Sequence, residues 1–338
     1  MLGTGTLTTN GLLTLAGPAS GSGLAMFTTA TGTVDINAGL TMSGTVIANA
    51  RFITTGAATV VLTGTMTGAG TVTIHSTTSF STTGTVALNT ACTLPNLSVI
   101  TTGTTTTGAA ITVSGDVSVA VGTTLTKGGA ALTISGDTTV DGSVTSSSAT
   151  GTFTSTGLLT VNGSFNLSGA ATASSFAGGI TVNSGATTFT AGTGAVSLTA
   201  TQTISGTGTI ALSFSGATTI SANALVTNNY TGNTVTFSTL TITGGAYTAD
   251  TGLYLSTGTV TATTTTASIG ANSTSAGAYS GEITLDGTAT LSIGTTFSIT
   301  APTTTFSGAN VGILATSGAS GNISIGGATT LSCNGAGT

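Results

Sequence analysis

Apolar residues recur along this chain as triplets in which two apolar residues flank one polar or small residue. This alternation has the two-residue period of a strand with one buried face. The clearest triplets are Leu13-Thr14-Leu15, Val72-Thr73-Ile74, Ile111-Thr112-Val113, Leu132-Thr133-Ile134, Leu159-Thr160-Val161, Ile180-Thr181-Val182, Ile210-Ala211-Leu212 and Ile323-Ser324-Ile325. No segment shows the 3.6-residue apolar period of a helix, so we expect an all-β protein whose circular dichroism indicates helix below about 5%.

Turn residues follow most triplets, as in Ser114-Gly115, Ser135-Gly136 and Asn162-Gly163. One strand and one turn cannot enclose a core, so such units must stack on one another, as they do in solenoids. Four similar triplets begin at positions 111, 132, 159 and 180, so the first and last intervals are equal and the middle one is longer. The sequence therefore predicts a parallel β-helix (β-solenoid) of roughly 20–27 residues per coil. We expect a single continuous solenoid over residues 1–338, as a segment of a longer repeat protein.

An array of β-sandwich domains is the alternative fold, because short strands at regular turn spacing also suit sandwiches. Sandwiches usually contain a buried Trp or Tyr core, whereas this chain has no Trp and 4 Tyr. The solenoid makes a specific prediction about which side chains face inward. The positions expected to be buried in columns are Ile111, Val113, Leu132, Ile134, Leu159, Val161, Ile180 and Val182. The positions expected to point outward are Thr112, Thr133, Thr160 and Thr181.

Charge is scarce: only 3% of the 338 residues are Asp, Glu, Lys or Arg, and the net charge is −5. Soluble domains usually contain about a quarter charged residues. The two basic residues, Arg51 and Lys127, cannot form the positive surface that a phosphate backbone requires, which excludes nucleic acid as a partner. No run of about 18 apolar residues occurs, so we expect no transmembrane segment.

Two runs carry a resemblance to known proteins, Leu159-Thr160-Val161-Asn162-Gly163-Ser164-Phe165-Asn166-Leu167-Ser168-Gly169 and Ile111-Thr112-Val113-Ser114-Gly115-Asp116. They resemble the β-strand repeats of large secreted bacterial surface proteins, namely filamentous-haemagglutinin-like adhesins and autotransporter passenger domains. The resemblance implies an extracellular right-handed β-helix with a role in adhesion, surface layers or fibres. It implies no functional residue, because the repeats of those families are scaffold.

Catalytic groups are sparse and scattered. A carbohydrate-cleaving site needs clustered carboxylates, and the nearest pair, Asp137 and Asp141, is interpreted as two residues that cap a turn between them. The only histidine, His75, follows Val72-Thr73-Ile74 at a strand end, which is unlike the strand-to-helix turn of a serine nucleophile. We therefore expect no enzyme and no catalytic residue.

Asp116 and Asp137 form one further candidate site. Each follows Ser-Gly, and their separation equals the interval between the triplets that begin at positions 111 and 132. At that spacing the two carboxylates can lie on adjacent coils. A stacked pair either repels or holds a hard cation such as calcium. Calcium-binding solenoids repeat Gly-Gly-x-Gly-x-Asp, which is absent here, so a structural turn is the favoured interpretation and a calcium ladder the alternative.

Threonine runs at Thr104–Thr107 and Thr263–Thr266 suggest an ice-binding surface, in which flat paired columns of Thr order water. The recurring triplet, however, offers only one outward Thr per coil. Columns one residue wide match a lattice poorly, so ice binding ranks below the structural hypotheses.

The two cysteines, Cys92 and Cys333, are expected to lie tens of Å apart if coils advance steadily, which is too far for a disulfide within one molecule. The leading functional hypothesis is a self-assembling building block of an extracellular filament, sheath or surface layer. Its partner is the protein itself, with cell-surface or carbohydrate ligands as further candidates. A stalk segment of an adhesin is the alternative, and ice-binding or carbohydrate-active β-helices follow.

Overall fold

A computed structural model describes most of the strand backbone and, in the central part of the chain, the turns as well. The backbone is described for residues 6–17, 25–29, 32–44, 50–54, 58–68, 71–73, 79–169, 171–221, 224–231, 235–242 and 246–249, and after these for strands alone. Side chains are described for residues 6–14, 34–40, 60–64, 66, 80–169, 171–221, 224–231, 235, 237 and 240. These residues form strands and turns and include no helix, as the sequence predicts.

The chain divides into two compact units, Met1–Gly157 and Leu158–Thr338. The strands of the first unit are β1 Thr6–Thr9, β2 Leu13–Gly17, β3 Ala25–Thr29, β4 Gly32–Ile36, β5 Leu40–Gly44, β6 Ala50–Thr54, β7 Ala58–Gly68, β8 Thr71–Thr73, β9 Ser79–Leu88, β10 Cys92–Leu94, β11 Leu97–Ile100, β12 Gly103–Thr107, β13 Ile111–Val113, β14 Val117–Val119, β15 Thr123–Lys127, β16 Leu132–Ile134, β17 Thr138–Val140, β18 Ser143–Ser146 and β19 Thr152–Ser155. That the two units form one continuous solenoid stays a prediction.

The strands of the second unit are β20 Leu159–Val161, β21 Ser164–Asn166, β22 Ala173–Phe176, β23 Ile180–Val182, β24 Thr188–Thr190, β25 Val196–Leu198, β26 Gln202–Gly206, β27 Leu212–Ile220, β28 Leu225–Tyr230, β29 Val235–Ile242, β30 Ala246–Ala249, β31 Leu253–Leu255, β32 Thr259–Ala262, β33 Ser268–Ile269, β34 Glu282–Asp286, β35 Thr290–Ile293, β36 Phe297–Ile299, β37 Thr303–Ser307, β38 Gly312–Ala315, β39 Ile323–Ile325 and β40 Thr330–Asn334. Most are three to five residues long and rich in Thr, Val and Ile, which suit a pleated, half-buried surface.

Parallel pairing links strands that are three apart along the chain. In the first unit β13 pairs with β16, β14 with β17 and β15 with β18. Three strands therefore make one coil, and each coil hydrogen-bonds to the next in the manner of a β-solenoid. In places one long strand replaces two short strands of a coil. β7 pairs with both β4 and β5, and β29 pairs with both β31 and β32.

The predicted burial is confirmed for the four triplets that begin at positions 111, 132, 159 and 180. All eight apolar positions named above are at most 1% exposed, and their intervening threonines are exposed or half-buried. In two other triplets Leu13 and Ile210 are half-buried, and Ile210 precedes β27 instead of lying in it. In the first unit Ile111 pairs with Leu132 and Thr112 with Thr133, so inward and outward side chains form separate columns. Burial of these apolar side chains, at roughly 25 cal/mol for each Å² removed from water, supplies the main favourable term for stacking.

The predicted coil boundaries need one correction. Leu132 pairs with Phe153 in the first unit, and Leu159 pairs with Ile180 in the second. The long interval between positions 132 and 159 is therefore not one coil. Coil length also varies more widely than predicted. Ser81 pairs with Ser98 across a shorter interval than any predicted coil, and β32 pairs with β35 across a longer one.

Candidate functional surfaces and buried polar groups

Asp116 and Asp137 lie in equivalent exposed turns of adjacent coils, as their spacing predicts. The Asp137 backbone N–H donates a hydrogen bond of 2.9 Å to Oδ1 of Asp116. A Cβ at Gly136 would lie 2.4 Å from the same Oδ1, so the close approach of this carboxylate requires glycine. The geometry gives Asp116 a role in capping the turn of the next coil. No cluster of three potential metal ligands occurs among the described residues, and the calcium ladder stays a prediction.

The interpretation of Asp137 and Asp141 as two ends of one turn is wrong. Strand β17 lies between them, so the two carboxylates belong to different corners of the same coil. The Asp141 backbone N–H donates to the carbonyl oxygen of Val119, which joins its corner to the preceding coil. His75, the side chain of Cys333 and the run Thr263–Thr266 lie outside the described residues.

Lys127 is a buried polar group, although the composition of the chain indicates only a basic residue. It is fully buried at the end of β15, where it points inward like Leu125 and Thr123. In the strand register it pairs with Thr107 on one neighbouring coil and with Ser146 on the other. Its ammonium donates a hydrogen bond of 3.0 Å to the carbonyl oxygen of Gly128 and a further, short one to that of Thr150. The alternation of β15 is the sequence signal that places it inside.

Burial lowers the pKa of the Lys127 amine, because removal from water disfavours the charged form. The pKa of this amine is therefore lower in the folded chain than in the unfolded chain. Its contribution to stability is fully present when the pH is above the ordinary pKa of 10.5. That contribution is lost as pH falls through the lowered value. The two carbonyl contacts offset part of the cost at neutral pH.

Cys92 is a half-buried free thiol at the start of β10. Burial raises its pKa to about 12, since desolvation disfavours the thiolate. We expect a variant in which serine replaces Cys333 to react at pH 8 with a thiol reagent about a thousandfold more slowly when folded than when denatured, because the thiolate is the reactive species. Equal rates in buffer and in denaturant would contradict the buried position.

A two-column array of hydroxyl residues covers the outward face of β12, β15 and β18. We name it the hydroxyl face, and it consists of Thr104, Thr106, Thr124, Thr126, Ser143 and Thr145. The strand register places Thr104, Thr124 and Ser143 in one column. It places Thr106, Thr126 and Thr145 in the other. The expectation of columns one residue wide is therefore wrong for this face, because its longer strands carry two outward positions each.

Hydroxyls on the hydroxyl face are mostly without protein partners. Thr126 and Thr145 share a hydrogen bond of 3.1 Å between their Oγ1 atoms. Within the part of the chain that the structure describes, the hydroxyls of Thr104, Thr106, Thr124 and Ser143 form no hydrogen bond to protein. They are therefore available to an external ligand.

Other outward columns hydrogen-bond from coil to coil. Ser118 donates to Ser98 over 3.1 Å, and Asn183 donates through Nδ2 to Oδ1 of Asn162 over 2.7 Å. The hydroxyls of Thr181 and Ser205 lie 3.0 Å apart. These side-chain ladders use their hydrogen bonds within the fold.

Among the described residues, no helix has the length and apolar character needed to cross a membrane. Asp116, Asp137 and Asp141 lie in three different turns, and Lys127 is inside. Comparison of the chain with family models, with curated proteins and with solved structures finds no match.

Proposed function

We propose that this protein is a self-assembling structural building block of an extracellular filament, sheath or surface layer, without catalytic activity. The observation that carries the proposal is the placement of charge between residues 80 and 221. Asp116, Asp137 and Asp141 all lie in turns, and Lys127 is inside. Apart from Ile100 at the end of β11, the outward strand positions in this segment hold uncharged hydroxyl, amide and small side chains.

Uncharged strand faces favour contact between copies. Soluble β-proteins normally place charged residues on exposed strands to prevent pairing with other molecules. Side chains of Thr, Ser and Asn instead offer donors, acceptors and methyl groups at a constant spacing along the stack. An identical face on a second copy has the same spacing, so contacts repeat from coil to coil.

Electron microscopy of the purified protein tests the proposal. We expect ordered polymers, whereas isolated particles at the same concentration would contradict it and favour the stalk of an adhesin. A double replacement by lysine at Thr112 and Thr133, which stack on an outward face, should reduce the polymerised fraction. The matched control places the same charges in the adjoining exposed turns, at Ser114 and Ser135, and should polymerise like the unmodified chain.

A further inference from the structure

We propose that the hydroxyl face binds the surface of ice, which is a function separate from self-assembly. The six residues form a two-by-three array on parallel strands in continuous register. Neighbouring coils are roughly 4.8 Å apart, and residues two apart on one strand are roughly 6.6 Å apart. The spacing between coils is close to one repeat of the oxygen lattice on a prism face of hexagonal ice, and the spacing along the strand is about a tenth shorter than the other repeat.

The chemistry of the face suits ordered water. The four hydroxyls without protein partners can each donate and accept hydrogen bonds, and five of the six residues are threonines, whose methyl groups lie beside the hydroxyls. Branching at Cβ restricts χ1, so little side-chain entropy is lost when the array is immobilised. None of the six positions carries a charge, and strongly hydrated ammonium groups are absent from the array.

Two other occupants fit the face less well. A second copy of the chain that docked on these six side chains alone would lack the area of about 800 Å² on each partner that a stable interface needs, so self-assembly requires a longer stretch of outward strand face. A polysaccharide chain is usually bound by aromatic side chains that stack on sugar rings. The large apolar residues exposed in the described part of the chain are Leu12, Ile100 and Val121, none of which is aromatic.

Partition into slowly growing polycrystalline ice tests the inference. We expect the unmodified protein to enter the ice and to suppress recrystallisation. Thr124→Tyr, at the centre of one column, and Thr106→Tyr, in the other, should lose both effects, because the large ring prevents close contact with a flat lattice. Thr139→Tyr, the matched control on the outward face of β17, should keep both effects.

Tyrosine is favoured in strands, so we expect all three variants to fold, and circular dichroism with urea unfolding checks that they do. Exclusion of the unmodified protein from ice would overturn the inference, as would equal loss of partition in Thr124→Tyr and Thr139→Tyr. Retained partition in both variants of the hydroxyl face would also overturn it. Because these readouts differ from polymer formation, failure here leaves the proposed structural role standing.

Discussion

Replacing Phe189 by alanine is expected to lower the free energy of unfolding by about 3–5 kcal/mol. Phe189 is 1% exposed and lies in a column of phenylalanines inside the second unit. Its ring centroid is 5.5 Å from that of Phe165 in a stacked arrangement, and 5.6 Å from that of Phe214. Truncation removes both ring contacts and leaves a cavity between two coils that are fixed by backbone hydrogen bonds.

Urea unfolding followed by circular dichroism measures this loss. Phe189→Leu is the matched control, because it retains most of the buried volume and should be far less destabilising than alanine. Phe214 and Phe237 stack at 4.9 Å in the same column, so the neighbouring coils should keep their core in both variants. A loss below about 1 kcal/mol for Phe189→Ala would show that the side chain is not enclosed as described.

Replacing Gly206 by alanine is expected to cost about 2–3 kcal/mol of stability. Gly206 ends β26 with φ of +118°, a backbone conformation that residues with a Cβ rarely adopt. An added Cβ would lie 2.0 Å from the carbonyl oxygen of Val182 on the preceding coil. The backbone of one coil must therefore move away from the other.

Gly11→Ala is the matched control for this prediction. Its added Cβ would meet nothing within 4 Å, so the same chemical change should alter stability by no more than about 0.5 kcal/mol. Urea unfolding measures the free energy of unfolding of both variants. The difference between them isolates the effect of the close contact between coils from the general effect of removing a glycine. Equal stability of the two variants would contradict the close stacking of coils at Gly206.

The period of the apolar triplets is sufficient to predict strands and, for the triplets between residues 111 and 182, the inward side chains. Triplets such as Ile111-Thr112-Val113 place two apolar residues on one face of a strand, whereas a helix would place them on opposite sides. The assignment of triplets to columns cannot be predicted in the same way. Each coil contains three strands of similar sequence, and the pairing of Leu132 with Phe153 depends on the turns between them.

The hydroxyl face shows why the outward surface is harder to predict. The run Thr104–Thr107 has no alternation, so the sequence does not reveal which of its threonines face inward. Pairing of Thr105 with Leu125, a buried residue, makes Thr105 and Thr107 internal and Thr104 and Thr106 external. The buried position of Lys127 is missed for a related reason, because composition favours an exposed lysine, whereas the alternation of β15 places it inside.

Sedimentation velocity at low salt and at about 1 M salt tests the central claim, that copies of this chain assemble through uncharged strand faces. At about 1 M salt the Debye length shrinks to about 3 Å, so contacts between exposed charges are lost. A net charge of −5 over 338 residues contributes little repulsion, and we expect the polymerised fraction to be the same in both conditions. Polymers that dissolve at high salt, or a monomer in both conditions, would contradict the account.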